Sequence, residues 1–235
     1  MRPLEKLATA RGAGDAEPVA VEVEEILVLH HSHLDVGYTH SQPIVWRLQK
    51  EFITEAIDWL EATSVLPEAA RPKWTCEVTE PLRRWLDDAS DESIERFTRL
   101  HRAGRIGIAA LRWHIDSCVD MRGLERLLTG KRELEDLLET TLRVACQHDV
   151  NGVPWPLADV LLDAGVDFFT MAVNPHLGRA VQPRPGMFRW QAPSGRHLRV
   201  FNGSAYTMFD QAFFAWEDSV ERMDDGWARL ARRLG

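Results

Sequence analysis

The feature that most constrains this chain is an alternation of short apolar runs with longer amphipathic stretches. Five runs read as strands: Glu24–His31 (EEILVLHH), Lys73–Val78 (KWTCEV), Ile106–Leu111 (IGIAAL), Leu142–Asp149 (LRVACQHD) and Val166–Val173 (VDFFTMAV). Between them the period changes to that of helices, over 41–62, Pro81–Asp88, Glu92–Ala103, Leu124–Thr140 and Pro156–Ala164. Strand–helix alternation is the signature of an α/β architecture with a parallel sheet or barrel. Five βα units fall short of an eight-fold barrel, which needs roughly 250 residues. Either the sheet is open or the barrel is incomplete within these residues. After Asn174 the pattern changes: Met187–Gln191 and Leu198–Asn202 flank Pro193-Ser194-Gly195 as a hairpin, and Ser219–Leu234 reads as a helix. Residues 1–20, rich in Ala, Gly and Pro, form a flexible lead-in, and 21–235 read as a single catalytic-type domain.

Composition narrows the function. The 235 residues carry a net charge of −8, which speaks against a nucleic-acid binder. No run reaches membrane-span length, and Met1–Val23 lacks the apolar core of a secretory signal. The three cysteines, Cys76, Cys118 and Cys146, are widely spaced and form no CxxC pair. A soluble protein of a reducing cytoplasm is therefore expected, with no membrane and no nucleic-acid partner. Nine Trp against two Tyr is unusual, and suits a large core, a sugar-facing cleft, or both.

The residues able to do chemistry collect where strands end. His31-Ser32-His33-Leu34-Asp35 closes the first run. Side chains two apart on a strand share a face, so His31, His33 and Asp35 point together, a natural ligand set for Zn²⁺ or a similar divalent ion. The plainer alternative is a polar strand-to-loop junction. By the same alternation His30 faces away, and His40 opens a helix. Asp149 closes the fourth run, on the rim shared with His33 and Asp35 if the sheet is parallel. It could complete a metal shell, act as a nucleophile, or cap the Asn151-Gly152 turn. His148 alternates away from it, into the sheet. Glu77, Asp116 and Asp210 are weaker candidates, each balanced against a helix cap or a solvated loop. Trp74, Trp113, Trp155 and Trp190 lie near strand ends, where an indole could carry a sugar ring or simply pack into the core. Cys118 and Cys146 read as small buried apolar residues.

HSHLDVGY, at the end of the first run, resembles the HSHxDxGW element of the glycoside hydrolase family 38 α-mannosidases. QHDVNG resembles that family's aspartate-centred DPFG element, and Arg105–Trp113 (RIGIAALRW) its strand ending in an aromatic residue. The resemblance implies a seven-stranded (β/α) barrel, here possibly incomplete, as the N-terminal part of a longer enzyme. It implies one zinc ion held by His33, Asp35 and Asp149, with Asp149 also the nucleophile of a retaining hydrolysis. The metal would also hold two adjacent hydroxyls of a mannoside-like carbohydrate substrate. Tyr38 stands where the family has Trp, and with Trp113 and Trp155 is expected to contact substrate. Val36 and Val150 replace the family's prolines, and Asn151 its Phe, which points to a divergent bacterial-type branch. The family's acid/base carboxylate and its histidine ligand from later strands have no matching element here.

HSHLD also looks like the first-strand motif of TatD-like amidohydrolases, whose nuclease or deacylase chemistry needs a Glu and two further His. Glu77 could serve, whereas His114 and His148 are poorly phased for it. A third reading is a non-catalytic fragment that binds metal or sugar.

Overall fold

The computed structural model describes residues 30–114, 119–174, 176–178, 186–203 and 225–226. By its contacts the chain divides into two units, Leu27–Tyr206 and Met1–Ile26 with Thr207–Gly235. The fold described below belongs to the first unit. The 1–20 lead-in and nearly all of the 219–234 helix lie outside the described residues.

Strand β1 (His30–His31) is followed by helix α1 (Gln42–Ala62), β2 (Trp74–Cys76), α2 (Thr79–Leu86), α3 (Asp91–Arg102) and β3 (Ile106–Ile108). Then come α4 (Met121–Arg126), α5 (Lys131–Leu138), β4 (Val144–His148), α6 (Leu157–Asp163), β5 (Phe168–Ala172), β6 (Gly186–Gln191) and β7 (His197–Asn202). Helix α1 starts where Pro43 supplies a preset φ in the first turn. It buries Val45, Ile53, Ala56, Ile57 and Leu60, an apolar stripe at helical spacing. Fully buried Phe97, Ile106, Leu111, Leu124, Leu138 and Phe169 continue the same core between helices and strands.

The strands lie in two sheets, β1-β2-β3, all parallel, and β4-β5-β7-β6. In the second sheet β4, β5 and β7 are parallel and β6 runs antiparallel to β7. Just beyond β3, the Ala110 N–H donates to the Val144 carbonyl at the start of β4, 2.8 Å away. Strands β1 to β4 therefore follow one another in space as they do in sequence.

This arrangement corrects the expected parallel barrel of the seven-stranded type: the described strands close no barrel, and one sheet is mixed. The reason lies at Pro193-Ser194-Gly195. Gly195 has φ +84°, and the Ala192 N–H bonds back to the Arg196 carbonyl at 2.8 Å. A turn this short can join only antiparallel strands, because a parallel crossover needs a dozen or more residues. The hairpin itself lies where the turn signal puts it.

A second correction concerns 124–140, expected as one helix. It is two, α4 and α5, because Gly130 sits at φ +88° between them. A β-carbon at Gly130 would also meet Arg83 Cδ at 3.1 Å. Among the described residues, no helix is long and apolar enough to cross a membrane.

Helix α2 begins without a side-chain cap. Its first N–H groups are taken instead by chain leaving β3: Thr79 N–H donates to the Leu111 carbonyl (2.9 Å) and Glu80 N–H to that of Arg112 (3.4 Å). Glu80, 1% exposed, accepts from Arg84 Nε at 2.9 Å and Arg112 Nε at 2.8 Å. Burial works to raise its pKa, but Arg112 and then Arg84 outweigh it and hold the carboxyl below its ordinary 4.5.

Two predictions follow from this packing. Gly130→Ala should cost about 1–2 kcal/mol, the penalty of a left-handed backbone with a β-carbon, read as a lower urea midpoint at unchanged m. Glu80→Gln should cost about 2 kcal/mol at neutral pH, the scale of hydrogen bonds to charged groups. Because the folded pKa of Glu80 is depressed, its contribution is complete above the unfolded value of 4.5 and is lost as pH falls below it. Urea titrations should therefore show the gap between wild type and Glu80→Gln closing as the pH drops through that range; a gap independent of pH would refute the assignment.

Candidate metal centre

The C-terminal ends of β1 to β4 converge on one buried carboxylate. Glu77, 5% exposed, follows β2 directly. His31 Nδ1 contacts its Oε2, while His33 Nδ1 and His114 Nε2 contact its Oε1. His148 Nδ1 lies 3.7 Å from Oε2. The four imidazoles come from the end of β1, the loop after β3 and the last residue of β4. His33 and His114 stack with ring centroids 5.3 Å apart, and His31 and His148 approach to 5.1 Å.

The other edge of His33 faces acids. Its Nε2 lies 3.6 Å from Asp149 Oδ2. Donor atoms of His33, Asp35 and Asp149 all fall within 4.8 Å of one another, and so do those of His33, Glu77 and His114 and those of His31, Glu77 and His148. Asp149 adopts φ +61°, a left-handed backbone uncommon outside glycine. It is held there: its N–H donates to the Ala172 carbonyl at 2.9 Å, and Asn174 Nδ2 donates to its Oδ1 at 2.6 Å. Asn174 in turn exchanges two hydrogen bonds with Asn151, at 2.7 and 3.0 Å.

The electrostatics follow from this crowding. Burial would raise the Glu77 pKa, but its four histidine neighbours outweigh that and drive it far below the carboxylate range. Burial would lower the His33 pKa, yet Glu77, Asp149 and Asp35 together raise it above 6.5. For His148 burial prevails over Glu77 and the pKa falls. Burial pushes the Cys146 thiol up, and it rests 3.2 Å from His148 Nε2 as a neutral neighbour.

The expected residues can now be placed. His33, Asp35 and Asp149 come together, with His31 and Glu77 beside them. Glu77 caps no helix; it is the hub. His148 does not turn into the sheet, because the strand's alternation ends with it and the left-handed Asp149 re-aims the chain. His114 likewise reaches Glu77, so the phasing expected for both histidines is corrected. The signal for them was available, since His114 follows β3 and His148 ends β4, on the rim that carries the rest of the cluster.

A cleft of about 230 Å³ opens onto the cluster, bordered by His33, Asp35, Glu77, Trp46, Trp113 and His114. Trp113 packs on the core and meets Trp46 edge-on, with centroids 5.5 Å apart; Arg84 lies over Trp46 at 4.1 Å. Tyr38 is 89% exposed in a turn, and Trp155, 57% exposed, donates its Nε1–H to the Gln191 carbonyl at 2.7 Å. Neither borders the cleft. His30 packs edge-on against Trp59 and contacts the Lys73 carbonyl, a structural role. Asp116, Cys118 and Asp210 lie outside the described residues.

No curated protein matches the sequence. The fold is similar to an α-mannosidase from Enterococcus faecalis V583, with TM-score 0.68 and 12% identity over 88% of this chain and 23% of that one. It is similar to a glycosyl hydrolase family 38 protein from Enterococcus faecalis, with TM-score 0.59 and 11% identity over 86% of this chain and 21% of that one. A 4-α-glucanotransferase from Thermococcus litoralis shares the fold more distantly, with TM-score 0.51 and 12% identity over 74% and 27%. The chain thus spans about a quarter of the length of each. The family model for the glycosyl hydrolases family 38 N-terminal domain matches residues 24–232, and on that match the chain belongs to glycoside hydrolase family 38.

Proposed function

We propose that this chain carries the metal-dependent centre of an α-mannosidase-like glycosidase that works with retention of anomeric configuration. One observation carries the reading: the donor atoms of His33, Asp35 and Asp149 lie within 4.8 Å of one another, and His33 and Asp35 line the cleft. An imidazole and two carboxylates suit zinc, so these residues fit the ion that the family generally uses. Bound there, the ion would act as a Lewis acid and orient sugar hydroxyls. The same reading treats 21–235 as one catalytic-type domain working within a longer enzyme; the share of the similar structures that it covers supports this.

The chain's own side chains divide the remaining work. Asp149 is the nucleophile: its Oδ1 is fixed by Asn174, which leaves Oδ2, on the His33 side, for attack on the anomeric carbon. His33 gives its Nδ1–H to Glu77, so its Nε2 lone pair faces the acids. A retaining hydrolysis also requires a second carboxylate about 5 Å from the nucleophile, first as acid and then as base. Trp113 and Trp46 wall the cleft, and the C–H face of a pyranose packs well on indole. The substrate is accordingly a neutral mannoside-like carbohydrate.

The four histidines around Glu77 lend support to a second reading, an amidohydrolase-like metallohydrolase. The family match and the cleft's indoles favour the glycosidase. Aryl α-mannoside and phosphodiester substrates assayed side by side with zinc should show turnover of the mannoside alone. The first sugar released should be the α-anomer by NMR, and Asp149→Asn should lower kcat by more than about 10³-fold. Turnover with inversion, or an unimpaired Asp149→Asn enzyme, would sink the assignment.

A further inference from the structure

We infer that the chain binds a second divalent transition-metal ion, at His31 Nδ1, Glu77 Oε2 and His148 Nδ1, beside the ion assigned to His33, Asp35 and Asp149. The inference rests on the metal-centre reading above but adds a separate site.

The two oxygens of Glu77 are not equivalent. Oε1 accepts from His33 Nδ1 and His114 Nε2. Both donors have a reason to carry their protons there. His114 Nδ1 faces the backbone N–H of His148 at 3.4 Å and acts as acceptor, which leaves the proton on Nε2. His33 turns its Nε2 toward Asp149, at the other site. Oε1 is thus a hydrogen-bond acceptor with its partners in place.

Oε2 is different. It is fully buried and has no aligned hydrogen bond among the described residues. Yet two ring nitrogens, from His31 and His148, converge on it, and the three atoms lie within 4.8 Å of one another. A buried carboxylate oxygen without a hydrogen bond is costly. Among the described residues the ion-pair partners of Glu77 are all histidines, with no Lys or Arg. A divalent ion at Oε2 satisfies the oxygen and supplies the counter-charge in one step. Two imidazoles and one carboxylate are a donor set for zinc or a neighbouring first-row metal rather than for Ca²⁺ or Mg²⁺. His33 can then serve the first ion through Nε2 while its Nδ1–H ties it to the Glu77 that holds the second.

Metal content per chain, measured by plasma mass spectrometry after loading with zinc and gel filtration, tests this directly. Wild type should hold two ions. Asp35→Asn and His148→Ala should each retain one, and the double variant none. His31→Asn, judged folded by circular dichroism and its urea midpoint, should repeat the His148→Ala result. One ion in wild type that folded His148→Ala retains, or two in both folded His148→Ala and folded His31→Asn, would overturn the second site. Failure of the glycosidase reading would instead appear as absent mannoside turnover with the two-ion count intact.

Discussion

A buried carboxylate must be answered by whatever packs around it, and Glu77 sets that demand for the site. It sits at the end of a three-residue strand, with neighbouring strands on both sides of β2 in the sheet. Solvent cannot answer its charge, so the segments leaving β1, β3 and β4 do, with one or two imidazoles each. The parallel order of these strands makes this possible, because it brings their C-terminal ends to one rim. Truncating Glu77 would leave four histidines without their common partner, whereas replacing any one histidine leaves three.

Asp149 shows how the second sheet is tied to this rim. Its left-handed backbone stores strain of about 1–2 kcal/mol, which nearby contacts must offset. They come from β5 and the residues after it: the Ala172 carbonyl, the Asn174 amide, and through Asn174 the side chain of Asn151. The cost has a geometric return, since an extended residue here would alternate away from His148 and only one of the two could face His33 and Glu77. The kink lets both face the cluster.

Much of this was legible in the sequence. Helix α1 ends where its apolar stripe ends, and the β6–β7 hairpin turns at its Pro-Ser-Gly signal. The HxHxD pattern located the β1 side of the site because two-residue spacing survives even where regular pairing stops after His31. Other parts were hidden for physical reasons. Heptad-like spacing runs straight through 124–140, and only the positive φ at Gly130, with Arg83 against it, divides that helix. His148 was hidden by the assumption that alternation continues past a strand's last residue. The mixed character of the second sheet follows from that same hairpin: the first five runs set the expectation of a parallel barrel, and the Pro-Ser-Gly turn adds an antiparallel strand to the sheet.

Glu77 and Glu80 stand three residues apart at the start of α2, both buried, and they are answered by different cations. Glu80 faces Arg84 and Arg112, fixed charges that need no proton and present rigid donors. Glu77 faces imidazoles, whose lone pairs can hold either a proton or a metal ion. The partially positive N-terminus of α2 favours both carboxylates, but only one of them is lined by imidazoles. Arg84 also lies over Trp46, and Trp46 meets Trp113 across the cleft wall. The Glu80 ion pairs therefore brace the aromatic wall, while Glu77, one turn earlier, organises the histidine-lined floor. A single short helix thereby links the arginine-paired carboxylate to the histidine-paired one, and a change that loosened α2 would disturb the aromatic wall and the histidine cluster together.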